Sequence, residues 1–279
     1  MKFISYLLAN NPSYGILTTN GIIDLKSLMG DRYPDLKSLI SCPAGLAHVK
    51  TLNQTPATVD PRYVTYLPVI PNPNKIICAG MNYADKRKEF DAQDQAVTLF
   101  VRFADTQVGH LSPVLKPSIT EEFDYEGELA IIIGKPCFKV SKQEAPNYIA
   151  GYSCYMDGSV RDWQHTWFTA GKNWPKTGAL GPCLTTQDEI DDFDALSIRT
   201  YLNKQMVQND VLGNMVHKVE DIVSYISTFT QLSPGDVILT GSPGGVGKKR
   251  TPPLFMKPGD VIEVEIEKIG HLINTIVAE

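Results

Sequence analysis

No Cys-x-x-Cys pair and no His-x-x-x-His spacing occurs in this chain. Its five cysteines, Cys42, Cys78, Cys137, Cys154 and Cys183, are odd in number and widely spread. That excludes a disulfide framework and a thiolate zinc site, and predicts reduced, buried thiols. The five histidines, His48, His110, His165, His217 and His271, also lack zinc-binding spacing. Any metal is therefore expected to be held by oxygen. Long basic clusters are missing too: 26 Lys and Arg face 31 Asp and Glu, a net charge of -5, which argues against a nucleic-acid partner. The apolar stretch that opens the chain, Phe3 to Ala9, is too short to cross a membrane and has no cleavage site after it. It reads as the first strand of a cytoplasmic protein with no membrane partner.

What the chain does have is concentrated acid. Asp124-Tyr125-Glu126-Gly127-Glu128 places three carboxylates in five positions, directly before the apolar run Leu129 to Ile133. On an extended chain, residues two apart project from one face. Like charges crowded at the mouth of a buried strand repel, and a divalent cation with oxygen ligands offsets that repulsion. The ordinary meaning of an isolated D-x-E-x-E is a solvated strand edge, so the rest of the chain has to decide. Asp157 closes a second apolar strand and can complete a coordination sphere begun by Glu126 and Glu128. Ala170-Gly171-Lys172-Asn173 offers a cation in a glycine-containing loop. Leu239 to Gly247 is a flexible loop with hydroxyls and backbone N–H groups, without the phosphate-loop pattern and suited to receiving a carboxylate.

The length, 279 residues, predicts one large or two unequal domains. Residues 1–72 read as a small N-terminal α+β domain. It holds a hairpin, Tyr14 to Thr18 and Ile22 to Leu25, turning at Asn20-Gly21, and a short helix after Pro34-Asp35. Five prolines between Pro56 and Pro73 mark the boundary. Residues 73–279 read as the catalytic domain. Its predicted strands are Lys75 to Ala79, Ala130 to Ile133, Ile149 to Tyr155, Ile198 to Leu202, Val237 to Thr240 and Val261 to Ile266. Its predicted helices are Val219 to Phe229 and, shorter, Tyr83 to Phe90. Many strands with few helices indicate an α+β fold, mainly β, built on curled sheets.

Several motifs occur in a family's order: Gly80-Met81-Asn82-Tyr83-Ala84-Asp85, Asp124 to Ala130, Ile133-Gly134-Lys135, Gly151-Tyr152, Ser159-Val160-Arg161-Asp162 with Gln164, Gly171-Lys172, Leu180-Gly181-Pro182, and Pro234 to Pro243. From about Lys75 onward the chain resembles the fumarylacetoacetate hydrolase family. It looks most like small bacterial acylpyruvate hydrolases and 2-hydroxyhepta-2,4-diene-1,7-dioate isomerases from aromatic catabolism. The resemblance implies a β-roll core, usually a homodimer, and Mg2+ or Mn2+ held by Glu126, Glu128 and Asp157. Asp124 is then a fourth-ligand candidate. It also implies that Lys172 and Gln164 face the substrate with Tyr83, while Thr240 and Ser242 lie near its carboxylate.

Three positions depart from the family pattern. Lys86 stands where a histidine is expected in the water-activating His-x-x-Glu pair, of which Glu89 remains. Arg87 and Lys88 beside it read as a solvated helix face, and Lys86 is not a simple substitute for the imidazole. Met156 stands where Asn is frequent. Arg102 replaces a common lysine and offers a guanidinium able to grip a carboxylate. Trp163, Trp167 and Trp174 suit packing as well as a pocket, His110 and His165 suit structural or surface roles, and Arg161 suits charge offset. The implied activity is metal-dependent C–C hydrolysis of an acylpyruvate-like 2-oxo dicarboxylic acid, with Glu89, Lys86 and Lys172 as catalytic candidates. Isomerisation or decarboxylation of a 2-hydroxymuconate-type or oxaloacetate-like acid through the same enolate is the alternative. A metal-binding module without chemistry is the alternative of another class.

Overall fold

The computed structural model describes residues 1–52, 54–92 and 96–279. Among them the strands form an 11-stranded sheet, a five-stranded sheet and a two-stranded ladder. The main path of the large sheet uses β1 (Lys2–Leu8), β2 (Asn11–Thr18), β3 (Gly21–Asp24), β4 (Ile76–Gly80), β5 (Thr98–Arg102), β6 (Gly127–Ile133), β7 (Ile149–Asp157), β8 (Gly178–Thr186) and β9 (Val237–Leu239). Its spatial order is β3-β2-β1-β8-β7-β6-β9-β4-β5. The five-stranded sheet joins Gln205–Val211, Ser197–Leu202, Val261–Ile266, Gly270–Ala278 and Val114–Lys116 in that order. The fold is mainly β, as the sequence indicates.

The local elements follow from the signals that predict them. The β2–β3 hairpin closes with Thr18 opposite Gly21, and Gly21 takes the positive φ of 132° that its lack of a Cβ permits. The Asp35 side chain accepts the Ser38 N–H at 2.7 Å and starts the helix Leu36–Ile40. Val219–Phe229 is a helix over the predicted range, with Ile222, Val223 and Ile226 buried. Residues 1–72 do not stand alone in the hydrogen bonding, because β1 pairs with β8 through Lys2 opposite Thr185.

Two unpredicted strands matter for the site: β5, which carries Phe100 and Arg102, and β8. β8 contains Pro182, a residue that argues against a central strand because it cannot donate to the ladder. The β7–β8 register shifts between Tyr152 and Cys154, beside the Gly181-Pro182 step, and this irregularity absorbs the missing donor.

Alternation along β6 divides the core. Leu129, Ile131 and Ile133 join the cluster of Ile198, Val264 and Ile266 from the five-stranded sheet, together with Ile222 and Ile226. Ala130 and Ile132 join the opposite cluster with Leu25, Leu36 and Leu39 of the N-terminal region. Burial on both faces explains why β6 reads as a continuous apolar run, each large side chain contributing about 1.5–3 kcal/mol. The same alternation aims the acids. Glu128 lies on the face of Ala130 and Ile132, and Asp157 lies on the face of Tyr155, which sits opposite Glu128 in the β6–β7 ladder.

Candidate active site

The acidic pentad is not one continuous strand. Phe123–Asp124 pairs with Ser159–Val160, and the chain then steps through Tyr125 and Glu126 into β6. Gly127 permits that step, since a Cβ there would lie 2.0 Å from Thr200 Oγ1. Asp157 N–H donates to the Glu126 carbonyl at 2.8 Å, so the ends of β6 and β7 are tied where the acids emerge. Oxygen atoms of Glu126, Glu128 and Asp157 lie within 4.8 Å of one another, and all three residues are buried. Asp124 is not part of the cluster. Its oxygens accept from Arg161 Nε at 2.8 Å and from the backbone N–H groups of Tyr125, Gly247 and Lys248 at 2.8, 2.7 and 3.1 Å. The fourth-ligand expectation for Asp124 is therefore corrected: the break before β6 turns it to the Gly247–Lys249 turn, which it anchors.

Four cations surround the triad. Lys172 Nζ reaches Glu126 Oε2 at 2.6 Å, Asp157 Oδ2 at 2.5 Å and Ser159 Oγ at 2.6 Å. Lys86 Nζ lies 2.6 Å from Glu126 Oε1 and 2.9 Å from Ser242 Oγ. Arg161 Nη2 donates to Glu126 Oε1 at 2.7 Å, and Arg102 pairs closely with Asp157. Burial pushes the Glu126 carboxyl up, but Lys172, Lys86 and Arg161 outweigh it and hold it well below the usual range. Glu128 goes the other way: burial, then Asp157 and Glu126, raise it well above that range. Among the described residues no Lys or Arg forms an ion pair with it, and Oε2 accepts only the Gly241 N–H at 3.0 Å. A buried carboxylate beside two others, with a backbone donor as partner, fits a hard divalent cation. Gly241 is required there, because its φ is 88° and a Cβ would lie 2.7 Å from the Ala79 carbonyl.

The remaining predicted residues divide into two groups. Lys86, Lys172, Ser242 and Arg161 line the cavity at the triad, about 30 Å³, with Met81, Phe100 and Phe168 as apolar walls. The helix Ala84–Glu89 buries Lys86 and leaves Lys88 exposed, so Lys86 is on the inner face and not a solvated one. Arg87 is also engaged, donating to the Met81 carbonyl at 2.6 Å. The others are committed elsewhere. Arg102 grips the protein's own Asp157 instead of facing the cavity, Thr240 Oγ1 donates to the Leu129 carbonyl at 3.2 Å, and Gln164 Oε1 accepts from Arg161 at 3.1 Å. Tyr83 is fully buried, and its hydroxyl has no partner among the described residues. Glu89 Oε1 accepts the Gly245 N–H at 2.6 Å in a neighbouring cleft shared with Asp85 and Asp210, while its Oε2 is buried without a partner among the described residues. Trp163 and Trp174 pack edge to face at 5.2 Å, Trp167 and His165 are exposed, and His110 packs on Tyr66. Sequence reasoning missed Ser159 and the Gly241 N–H as site groups. Both sit inside quoted motifs, but a backbone donor and a hydroxyl acquire their roles only from the fold.

A family model of the fumarylacetoacetate hydrolase C-terminal region matches residues 75–277. The chain belongs to the fumarylacetoacetate hydrolase family. It is similar to a mitochondrial oxaloacetate tautomerase of Xenopus laevis, 40% identical over 220 residues that cover 77% of this chain and 69% of that one. Among solved structures it resembles fumarylacetoacetate hydrolase from Exiguobacterium antarcticum, with a TM-score of 0.84, 30% identity and 100% of both chains covered. It also resembles maleylpyruvate hydrolase from Sphingobium in complex with manganese(II) and pyruvate, with a TM-score of 0.85, 26% identity, and 100% of this chain and 99% of that one covered. The fumarylacetoacetate hydrolase family is one of enzymes, with hydrolase, isomerase and tautomerase members. The triad, with the manganese of the Sphingobium structure, supports divalent-cation binding. No helix of the described residues is long and apolar enough to cross a membrane.

Proposed function

We propose that this chain is a metal-dependent keto–enol tautomerase of a small, oxaloacetate-like 2-oxo dicarboxylic acid. One observation carries the reading. The group that reaches into the triad's cavity from the Ala84–Glu89 helix is the amine of Lys86, whereas Glu89 is tied to the Gly245 N–H outside it. Moving a proton between C3 and the 2-oxygen needs a base and an acid in the cavity but no activated water. In its uncharged form the Lys86 amine accepts the C3 proton. Ser242, 2.9 Å from that amine, offers a hydroxyl through which a proton passes on. Lys172, also lining the cavity, has its three N–H groups on Glu126, Asp157 and Ser159 and contributes positive charge, so the proton reaches the 2-oxygen through Ser242. The proton lost from carbon is balanced by the one gained at the 2-oxygen. A divalent cation held by Glu126, Glu128 and Asp157 supplies positive charge against the negative charge that gathers on that oxygen. Met81, Phe100 and Phe168 give the cavity apolar walls. The 40% identity to an oxaloacetate tautomerase supports the same reading.

C–C hydrolysis of an acylpyruvate is the second reading, favoured by the buried, unpartnered Glu89 Oε2, an acceptor able to orient water. The two separate in one experiment. Decay of the oxaloacetate enol absorbance, pyruvate release and acylpyruvate cleavage are followed with Mn2+ for the wild type, Lys86→Met and Glu89→Gln. Tautomerisation is expected to dominate, to fall by about 100-fold or more in Lys86→Met, and to change little in Glu89→Gln. Acylpyruvate cleavage that outpaces tautomerisation and disappears in Glu89→Gln would overturn the proposal in favour of hydrolysis. Pyruvate release as the dominant product would indicate decarboxylation, and Mn2+ binding without turnover would indicate a binding module.

A further inference from the structure

The three triad carboxylates share a pattern that their identities do not require: each has one oxygen held by a protein donor other than Lys172. Glu128 Oε2 accepts the Gly241 N–H at 3.0 Å, and Glu126 Oε1 accepts from Lys86 at 2.6 Å and Arg161 at 2.7 Å. Asp157 Oδ1 accepts from Arg102 Nη1. The second oxygens of Glu126 and Asp157 converge on the position of Lys172 Nζ, which touches both at 2.6 and 2.5 Å, so a divalent cation bound there would take the place of that ammonium. The triad therefore presents single oxygens, not chelating carboxylates.

Of these pins the one on Asp157 is built most rigidly. The Arg102 side chain is fully buried. Nη1 also donates to the Gly158 carbonyl at 3.1 Å and Nη2 donates to Thr177 Oγ1 at 2.9 Å. The guanidinium lies over the Tyr155 ring, 5.8 Å from its centroid, and the Tyr155 hydroxyl is held by Gln107 Oε1 at 2.7 Å. Gly178 leaves room for this packing, since a Cβ there would come within 2.9 Å of Arg102 Nη2. Asp157 cannot swing its carboxylate to offer both oxygens without breaking a fork fixed on several sides. A lysine at 102 would supply charge, but as a single point and without the planar fork that spans Asp157 and Thr177.

We infer that Arg102 is a specificity-determining residue for the cation: by holding Asp157 Oδ1 it makes Asp157 a one-oxygen ligand and selects Mg2+ or Mn2+ against Ca2+. Mg2+ demands near-octahedral geometry with a few protein oxygens and several waters. Ca2+ takes roughly 6–8 oxygens at longer distances and gains from carboxylates that bind through both. Three single-oxygen ligands suit the first and under-supply the second.

The test is a calorimetric titration of the chelator-treated full chain with MgCl2, MnCl2 and CaCl2, for wild type, Arg102→Lys and Thr177→Val. Wild type is expected to bind Mg2+ and Mn2+ more tightly than Ca2+. Arg102→Lys is expected to lose about 10- to 100-fold in Mg2+ affinity while Ca2+ affinity stays within roughly threefold, so the preference narrows. Equal losses for Mg2+ and Ca2+, or no change in either, would overturn the assignment. If Arg102→Lys loses its near-ultraviolet circular dichroism, Thr177→Val, which removes only one anchor of the fork, decides by the same ratio. The inference rests on the triad as the cation site and not on the reaction run there. Wild type that binds no divalent cation refutes the site and with it the proposed tautomerase, whereas unaltered selectivity in the variants refutes only the role of Arg102.

Discussion

Replacing His110 with Asn should remove a specific part of the protein's acid sensitivity. His110 packs edge on against Tyr66, with ring centroids 5.0 Å apart, and its Nδ1 accepts the Ile273 backbone N–H at 3.1 Å. A nitrogen that accepts carries no proton, so the native ring is uncharged, with its hydrogen on Nε2. Burial, reinforced by the nearby His271, pushes its pKa down to about 4. In the unfolded chain the ring protonates near the ordinary value of about 6.5. Between these values the unfolded state binds more protons than the native one, so stability rises with pH through the window and is lost as pH falls. Discounted for partial exposure, the loss between pH 7 and pH 5 is roughly 1–2 kcal/mol. Asn places an oxygen where Nδ1 lies and cannot take up the proton. His110→Asn is expected to cost some stability at pH 7 through lost ring packing, and then to lose less than the wild type on acidification. Urea unfolding at pH 7, 6 and 5 measures this, the difference between the two proteins cancelling the carboxylates they share. Parallel stability curves would refute the reasoning, and loss of turnover without loss of stability would make His110 a site residue after all.

Two further outcomes test the site's construction. Asp124→Asn should destabilise the protein by about 2–3 kcal/mol, because a buried carboxylate with an arginine and three backbone donors loses its charge. Chemical denaturation checks it, and a cost under about 0.5 kcal/mol would mean that the Gly247–Lys249 turn does not depend on Asp124. Glu128→Gln should lower Mn2+ affinity by at least about 100-fold in calorimetry while leaving the chelator-treated protein no less stable than the wild type, since the variant removes an acid whose ionisation burial, Asp157 and Glu126 oppose. Full Mn2+ affinity, or a less stable metal-free variant, would contradict the reading of the triad.

Much of the architecture was legible because its signals are local. Val219–Phe229 declared itself by an apolar stripe, Leu36–Ile40 by its Asp35 cap, and β6 by an unbroken apolar run. Two of the strands that went unseen hide those signals: β8 carries Pro182, and Gln205–Val211 is a largely polar edge strand in which only Val207 and Gln208 are buried. In the site, spacing drew attention to Glu126 and Glu128 and to Asp157 at the end of a second apolar strand, and the family resemblance joined the three as one ligand set. Spacing failed for Asp124, where the chain leaves one ladder for another and the alternation is interrupted. Lys86 was among the catalytic candidates, but its inward direction depends on how the Ala84–Glu89 helix is seated, and its contact with Glu126, forty residues away, is not a local property.

By itself, then, the order of residues determined the family, the mainly β fold and the chemical type of the metal ligands, because each is written in residue identities and short periodicities. Only the tertiary structure decided which cations face those ligands. Arg102, Arg161, Lys172 and Lys86 are equivalent charges in a sequence, and only folding takes them out of water and assigns each one to an oxygen atom. In a buried cluster of alternating charge, that pairing fixes which carboxylate, Glu128, has no cationic partner among the described residues.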